Sequence, residues 1–237
     1  DEEAPEHASR LVEEMWQRYN AGDRSLAPDK ISYSSLMNAW SNSLRPNAGQ
    51  KAEAILYEMI HAHHSTKEDD PTLDLRPDHK CYAAVIHAWA KSGGDDDDEE
   101  APERAEQIVR ELWRRYEAGE RSLAPNTITY TSLIDAWGKS PHPNAGKKAE
   151  DVLREMWRKY DADPQLDIRP NLATYNAVIN AWAKSRRHYD DDDDDDVEAL
   201  DHAGRILGEM WQRYEAGDKS LAPDTISYNT LIDAWSK

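Results

Sequence analysis

A ten-residue motif occurs five times along this chain of 237 residues. Every copy has a tyrosine at its third position and ends in Ala-Trp; the tyrosines are Tyr33, Tyr82, Tyr130, Tyr175 and Tyr228. Successive tyrosines are 49, 48, 45 and 53 residues apart. A regular interval of this size is typical of a solenoid, in which each repeat buries its apolar face against neighbouring repeats. The motif therefore argues against a compact fold with a single large core.

Each repeat contains two elements with helical periodicity. In the third copy of the motif, apolar residues are spaced i, i+3, i+4, i+7, at Tyr130, Leu133, Ile134 and Trp137. We call this element helix A and interpret its apolar stripe as core. A second amphipathic element, helix B, alternates with it. Pro-Asp or Pro-Asn precedes every helix A and supplies a chain break followed by an N-cap residue. The sequence predicts an all-α solenoid of helix-turn-helix repeats with enlarged loops.

The repeat boundaries follow from these motifs. We predict one continuous array that comprises a partial repeat (helix B) at 1–29, repeats at 30–78, 79–126, 127–171 and 172–224, and a partial repeat (helix A) at 225–237. Linkers that end in Ser-Leu-Ala-Pro recur at offsets of 97 and 98 residues, which indicates duplication of a two-repeat unit. We expect the chain to be an excerpt of a longer array.

The acidic residues are concentrated in two runs, at 95–100 and 190–196, between a helix A and the following helix B. The formal net charge is −18, and it would be −5 without these runs. Like charges in succession repel one another and bury nothing, so we predict solvent-exposed loops. The runs lack the spaced ligands and the turn glycine of a calcium loop.

Other site classes receive little support. No apolar stretch is long enough to span a membrane, and no signal-peptide pattern is present. The single cysteine, Cys81, excludes a disulfide within the chain and a cysteine-based zinc cluster. His61, His63 and His64 have no counterparts in other repeats, and we interpret them as surface. With no recognisable set of nucleophile, base and orienting group, we expect no enzyme activity, no cofactor and no bound metal.

Helix A carries a second line of residues beside its apolar stripe: the residue after the tyrosine and those four and eight positions later, which drift only about 40° per step. The five sets are Ser34, Asn38, Asn42; Ala83, His87, Lys91; Thr131, Asp135, Lys139; Asn176, Asn180, Lys184; and Asn229, Asp233, Lys237. Short hydrogen-bonding side chains and a closing lysine at equal steps suit an extended polymer with one unit per repeat. The alternative is that these polar residues simply tolerate the start of a helix.

The segments 174–185 and 227–237, together with the helix B and closing Pro-Asp that accompany this motif, resemble the pentatricopeptide repeat family. The similarity covers nearly the whole chain, although repeats of that family are usually about 35 residues long and these are longer. The resemblance implies a right-handed superhelix that binds single-stranded RNA with one base per repeat. It also implies a mitochondrial or plastid location and a role in RNA processing, stability, editing or translation there.

The resemblance also implies site residues. In the family, the residue after the tyrosine and the last residue of the repeat face the base edge, an apolar residue packs on the base, and the lysine that ends helix A meets the phosphate. Carried over, the base-reading residues are Ser34 with Asp78, Ala83 with Asn126, Thr131 with Asn171, Asn176 with Asp224, and Asn229 alone. The base-stacking residues are Ile31, Ile128, Ala173 and Ile226. The phosphate-binding residues are Lys91, Lys139, Lys184 and Lys237.

The family's preferences suggest the RNA 5′-G-N-A-U-pyrimidine-3′, where N marks the repeat in which Ala83 offers no hydrogen bond. Two alternatives remain open. The Asp or Asn that ends each repeat could serve only as the N-cap of the next helix A. The array could instead be a protein-interaction scaffold of the tetratricopeptide type, for which the acidic surface would favour a basic protein partner.

Overall fold

The computed structural model describes residues 3–43, 45–66, 70, 73–92, 100–185 and 193–236, and within them it contains α-helices, short 3₁₀ turns and no strand. Helices B are α1 (Ala4–Asn20), α3 (Ala48–Thr66), α5 (Ala101–Glu117), α7 (Ala145–Ala162) and α9 (Asp193–Glu215). Helices A are α2 (Lys30–Asn42), α4 (His79–Ser92), α6 (Thr127–Lys139), α8 (Leu172–Ser185) and α10 (Thr225–Trp235). The predicted all-α class is confirmed.

The start of each helix A is fixed by the Asp or Asn that follows the proline. At α6 the Asn126 carboxamide oxygen accepts a hydrogen bond from the backbone N–H of Thr129 at 2.9 Å. The Thr129 hydroxyl in turn accepts from the backbone N–H of Asn126 at 3.4 Å, which completes a capping box. Such reciprocal bonds satisfy backbone N–H groups that have no partner within the helix.

The ends of three helices B are fixed by glycine. Gly22, Gly119 and Gly217 have φ values of +108°, +108° and +112°, in the left-handed region that side chains with a Cβ rarely adopt. Each is followed by a short 3₁₀ turn, at Arg24–Leu26, Arg121–Leu123 and Lys219–Leu221. The recurring Ala-Gly of these linkers therefore redirects the chain from helix B toward the next helix A.

The helices stack as a solenoid. Each helix A from α4 to α8 packs against the helices A before and after it and against both adjacent helices B. The helices A thus form a continuous layer, and the helices B cover one side of it. The stripe that the periodicity assigns to the core is buried in the interior repeats, where Tyr130, Leu133, Ile134 and Trp137 are at most 2% exposed.

A hydrogen-bonded relay connects three successive helices in three of the repeats. The indole N–H of Trp113 in α5 donates to the hydroxyl of Tyr130 in α6 at 2.6 Å, and this hydroxyl donates to the Glu155 carboxylate in α7 at 3.1 Å. The same relay joins Trp16, Tyr33 and Glu58, and Trp157, Tyr175 and Glu209. The tyrosine of the motif is therefore a polar link between repeats as well as a core residue.

Two expectations need correction. Residues 193–196 of the second acidic run form the first turn of α9 and not a loop; the other residues of the two runs, except Glu100, lie outside the described residues. Negative charge is tolerated there because the N-terminus of a helix carries partial positive charge. The apolar stripe of α10 is also only partly buried: Leu231 is 8% exposed, whereas Ile232 is 61% and Trp235 60% exposed. No described helix B follows α10 to cover this stripe.

Candidate nucleic-acid interface

The solvent-exposed face of helix A carries large apolar side chains at a fixed position. Ile31 is 72%, Ile128 66% and Ile226 63% exposed, each two residues before the motif tyrosine. The equivalent residues of the other two repeats, Lys80 and Ala173, are exposed as well. Exposure of an isoleucine side chain to water is energetically unfavourable. Its recurrence at one position therefore indicates a contact surface.

Three parallel rows of side chains follow on this face, and we name them by position. The first row is Ser34, Ala83, Thr131, Asn176 and Asn229. The middle row, one helical turn further along each helix, is Asn38, His87, Asp135, Asn180 and Asp233. The lysine row, another turn on, is Lys91, Lys139 and Lys184; Lys237 lies outside the described residues.

The first row is half-buried from Ser34 to Asn176 and exposed at Asn229. Two of its side chains bond to the next repeat. The Thr131 hydroxyl lies 3.1 Å from that of Thr174, and the carboxamide of Asn176 donates to Asp224 at 3.3 Å and accepts from Ser227 at 2.6 Å. The Ser34 hydroxyl donates instead to the backbone carbonyl of Ile31 at 3.1 Å within its own helix.

The Asp or Asn that ends each repeat caps the following helix A. Asp78 accepts from the backbone N–H groups of Lys80 and Cys81 at 2.9 and 3.2 Å. Asn126 caps α6 as described above, and the remaining two form the corresponding bonds: Asn171 with Thr174 at 3.0 Å and Asp224 with Ser227 at 2.9 Å. The capping role that the sequence left open is therefore present in all four residues.

Capping does not occupy the whole side chain. In these residues the cap bonds end on Oδ1, and within the described chain the second terminal atom (Oδ2 in aspartate, Nδ2 in asparagine) has no hydrogen bond. The bonds donated by the Ser227 backbone N–H and hydroxyl and the Asn176 carboxamide hold the pKa of Asp224 below its usual range, so it remains a carboxylate acceptor at neutral pH. One edge of each capping group thus stays available to a ligand.

The sequence-predicted pairs are brought together to different degrees. Asn176 and Asp224 are in direct contact. Thr131 reaches Asn171 through the Thr174 hydroxyl, which donates to Asn171 at 3.1 Å. For Ser34 with Asp78 and for Ala83 with Asn126 the described residues show no connecting hydrogen bond, and the methyl group of Ala83 can make none. Sequence reasoning missed Thr174 and Ser227, whose hydroxyls follow helix starts and look like ordinary capping residues.

Two residues of the middle row interact electrostatically with lysines of two successive repeats. Burial lowers the pKa of His87, and the nearby Lys91 and Lys139 lower it further. Burial raises the pKa of Asp135, while Lys139 and Lys184 oppose this shift. Both residues therefore lie within electrostatic range of the lysine on their own helix and the lysine of the next repeat. The Lys91 ammonium also donates to Asn42 of the preceding repeat at 3.4 Å.

Cys81 and the three histidines of α3 lie outside this face. Cys81 is buried, and burial raises the pKa of its thiol to about 11, so it is protonated at neutral pH. His61 and His64 are exposed and His63 is half-buried. The described ranges hold no cluster of three His, Cys, Asp or Glu side chains arranged for a metal ion. None of their helices combines the length and apolarity of a membrane span.

One segment of the chain matches a known protein family. Residues 115–185, from the end of α5 through α8, match the model of the pentatricopeptide repeat domain. The same helix A motif recurs in α2, α4 and α10. Over residues 115–185 the chain is similar to pentatricopeptide repeat proteins. A search of curated proteins finds no match.

The fold is also found in a solved structure of this family. The crystal structure of the maize pentatricopeptide repeat protein PPR10 superposes with a TM-score of 0.53 at 21% sequence identity. The superposition covers 97% of this chain and 25% of the maize chain. The chain thus spans about a quarter of the length of that protein, and at this identity the likeness concerns the fold alone.

Proposed function

We propose that the array binds single-stranded RNA along the exposed face of helix A, with one base per repeat. The observation that carries this proposal is the recurrence of a highly exposed isoleucine at one position of every second repeat, next to hydrogen-bonding groups. Ile31, Ile128 and Ile226 would pack on base faces, as apolar and aromatic side chains do in other single-strand binders. Exposed Ala173 would take the same place in its repeat.

The first row and the capping residues are proposed to contact the base edges. Hydroxyl and carboxamide groups can donate and accept, which suits Watson–Crick edges of unpaired bases. The family's preferences then give 5′-G-N-A-U-pyrimidine-3′ for the repeats in chain order. In the free chain Thr131 and Asn176 are held by Thr174, Asp224 and Ser227. Such bonds fix side-chain orientation before RNA arrives and reduce the entropy lost on binding.

The lysine row is proposed to contact the phosphates. Lys91, Lys139, Lys184 and Lys237 would neutralise about four phosphates, so the logarithm of the binding constant should fall with the logarithm of salt concentration with a slope of about −3. This is a small electrostatic contribution. It predicts salt-sensitive binding that depends on base contacts more than on charge, in keeping with the acidic composition of the chain.

The test is a fluorescence-anisotropy titration at several salt concentrations with 5′-G-N-A-U-pyrimidine RNA, a scrambled RNA and duplex DNA. Asn176→Ser recreates the Ser34–Asp78 combination and should move the preference at one nucleotide from U to G. Asn144→Ser, an exposed change at the start of α7, is the matched control. No RNA binding at low salt would contradict the proposal and leave a scaffold for a basic protein as the alternative.

An organellar role is part of the same proposal and rests on the family resemblance alone. We propose that the full-length protein acts on RNA in mitochondria or plastids. Fractionation of cells that produce the full-length protein checks this, and a purely cytosolic signal contradicts it.

A further inference from the structure

The middle row has no task in the proposed function. Asn38, His87, Asp135, Asn180 and Asp233 lie between the groups assigned to the base edges and those assigned to the phosphates. Four residues separate each from the neighbouring rows, which is about 6 Å along a helix. In a nucleotide the sugar lies between the base and the phosphate. The order of the three rows along each helix A therefore matches the order of the three parts of a nucleotide.

The lysines support this match independently. His87 is close to Lys91 and Lys139, and Asp135 is close to Lys139 and Lys184. Each of these middle-row residues is thus within electrostatic range of the lysines of two consecutive repeats. When consecutive lysines hold consecutive phosphates, a residue close to both lysines is placed near the sugar that joins those phosphates.

The chemistry of the row fits a sugar hydroxyl and not a phosphate. Every member can accept a hydrogen bond through a carboxamide oxygen, a carboxylate oxygen or a ring nitrogen. Asp135 and Asp233 would repel a phosphate. Within the described chain, Asn38 and Asn180 have no side-chain hydrogen bond, so their acceptors are open to a ligand.

His87 is held for the same use. Its Nδ1 lies 2.8 Å from the Ser41 hydroxyl of α2, which fixes the ring and leaves Nε2 without a hydrogen bond to the described residues. The charged groups that face the ring are Lys91 on its own helix and Lys139 on α6. The lowered pKa favours the neutral ring at pH 7. In the tautomer that donates from Nδ1–H to the Ser41 hydroxyl, Nε2 is the acceptor.

We propose that the middle row accepts hydrogen bonds from ribose 2′-hydroxyl groups and thereby selects RNA over single-stranded DNA of the same sequence. The 2′-hydroxyl is the group that distinguishes the two polymers. This inference rests on the proposed function, since it requires that RNA lies along helix A. It adds a source of discrimination that base-edge and phosphate contacts cannot supply.

The experiment compares RNA with oligonucleotides that carry 2′-deoxy substitutions, either throughout or at single positions, while uracil is retained in all of them. Loss of one neutral hydrogen bond corresponds to a 2- to 10-fold weaker affinity, given about 0.5–1.5 kcal/mol per bond. We expect each single substitution in the bound stretch to weaken binding within about this range. The fully deoxy strand should bind weakest.

Asn180→Ala assigns the contact to one residue. Because the variant lacks the acceptor, it should abolish the penalty of a 2′-deoxy substitution at one nucleotide and keep the penalties elsewhere, as in a double-mutant cycle. Asn144→Ala, at the exposed N-cap position of α7, should keep all penalties. Asn38→Ala repeats the test in another repeat, so a folding defect of one variant does not end the test.

The outcomes separate the two proposals. Equal affinity of the wild-type protein for RNA and its deoxy analogue overturns the 2′-hydroxyl inference and leaves RNA binding along helix A intact. Penalties that persist unchanged in both Asn180→Ala and Asn38→Ala also overturn it. Failure of the wild-type protein to bind either strand overturns both proposals.

Discussion

Helices α6 and α10 carry nearly the same motif in different surroundings. In α6, between two repeats, Tyr130 and Trp137 are each 1% exposed, whereas the equivalent Tyr228 and Trp235 of α10 are 40% and 60% exposed. The isoleucine before the tyrosine behaves differently, since it is 66% exposed in α6 and 63% in α10. Burial of this tyrosine and tryptophan therefore depends on the helix B that follows helix A. The isoleucine is exposed in both helices, so its exposure does not depend on that neighbouring helix.

This comparison separates core from contact surface without reference to any ligand. A residue whose exposure changes with the presence of a neighbour serves packing between repeats. A residue that stays exposed within a complete stack, as Ile128 does, is not covered by the fold and is available to a partner. Four pairs of matched variants test this distinction, and their expected effects decrease in the order given.

The largest effect is expected for the tryptophan that ends the motif. Trp137→Ala should lower the free energy of unfolding by about 3–5 kcal/mol, because it leaves a cavity between repeats. Trp235→Ala should cost less than about 1 kcal/mol, since its side chain is already largely in water. Chemical denaturation followed by circular dichroism measures both. Similar losses in the two variants would show that burial by a neighbour is not what distinguishes α6 from α10.

The second-largest effect is expected for the hydroxyl group of the motif tyrosine. Tyr130→Phe leaves the buried indole N–H of Trp113 and the Glu155 carboxylate without their shared partner and should cost about 1–3 kcal/mol. Tyr228→Phe breaks only the bond from Trp211, and water can replace it, so we expect less than about 1 kcal/mol. Denaturation curves for the two variants decide the matter. Equal costs would show that the relay contributes nothing as a link between repeats.

The isoleucines should affect binding and not stability. Ile128→Ala and Ile226→Ala should each change the free energy of unfolding by no more than about 0.5 kcal/mol. Each should weaken RNA binding by about 1 kcal/mol, roughly fivefold, through lost apolar contact with a base. Denaturation and anisotropy titrations on the same samples provide both values. A large loss of stability in either variant would reassign the isoleucine to the core.

The smallest effect is expected for Asp135, the aspartate of the middle row in α6. Because burial raises the pKa of Asp135 in the folded chain, the charged carboxylate disfavours folding at neutral pH. The folded state binds the proton more readily than the unfolded chain, so this destabilisation fades as the pH falls toward the ordinary value of about 3.9. Asp135→Asn should therefore stabilise the protein slightly at pH 7 and progressively less at lower pH.

Asp233→Asn is the matched control for that change. Asp233 is exposed in α10, and its replacement should not stabilise the protein at pH 7. The measurement is the free energy of unfolding of both variants and the wild type between pH 7 and pH 4. A gain for Asp135→Asn that grows as the pH falls would contradict the assigned direction of the pKa shift.

The predicted helices are present because their signals are local. The 3.6-residue spacing of apolar positions, the Pro-Asp or Pro-Asn before each helix A and the Ala-Gly of the short linkers act within a few residues of one another. These features predict where a helix begins, which face is apolar and which residues share a row. The prediction of a loop at 193–196 was wrong because a run of aspartates carries no local signal for a helix. The helical signal comes from the apolar residues that follow, and α9 begins before them.

The helix order, the caps and the division of helix A into an apolar stripe and polar rows follow from local sequence, because each depends on neighbours along the chain. The partners of those side chains depend on the packing of the helices. Thr131 meets Thr174, and Asn176 meets Asp224 and Ser227, across separations of more than 40 residues. The stacking also leaves Ile232 and Trp235 of α10 exposed, whereas the whole stripe of α6 is buried. Contacts between repeats depend on how the helices stack, which no single motif encodes.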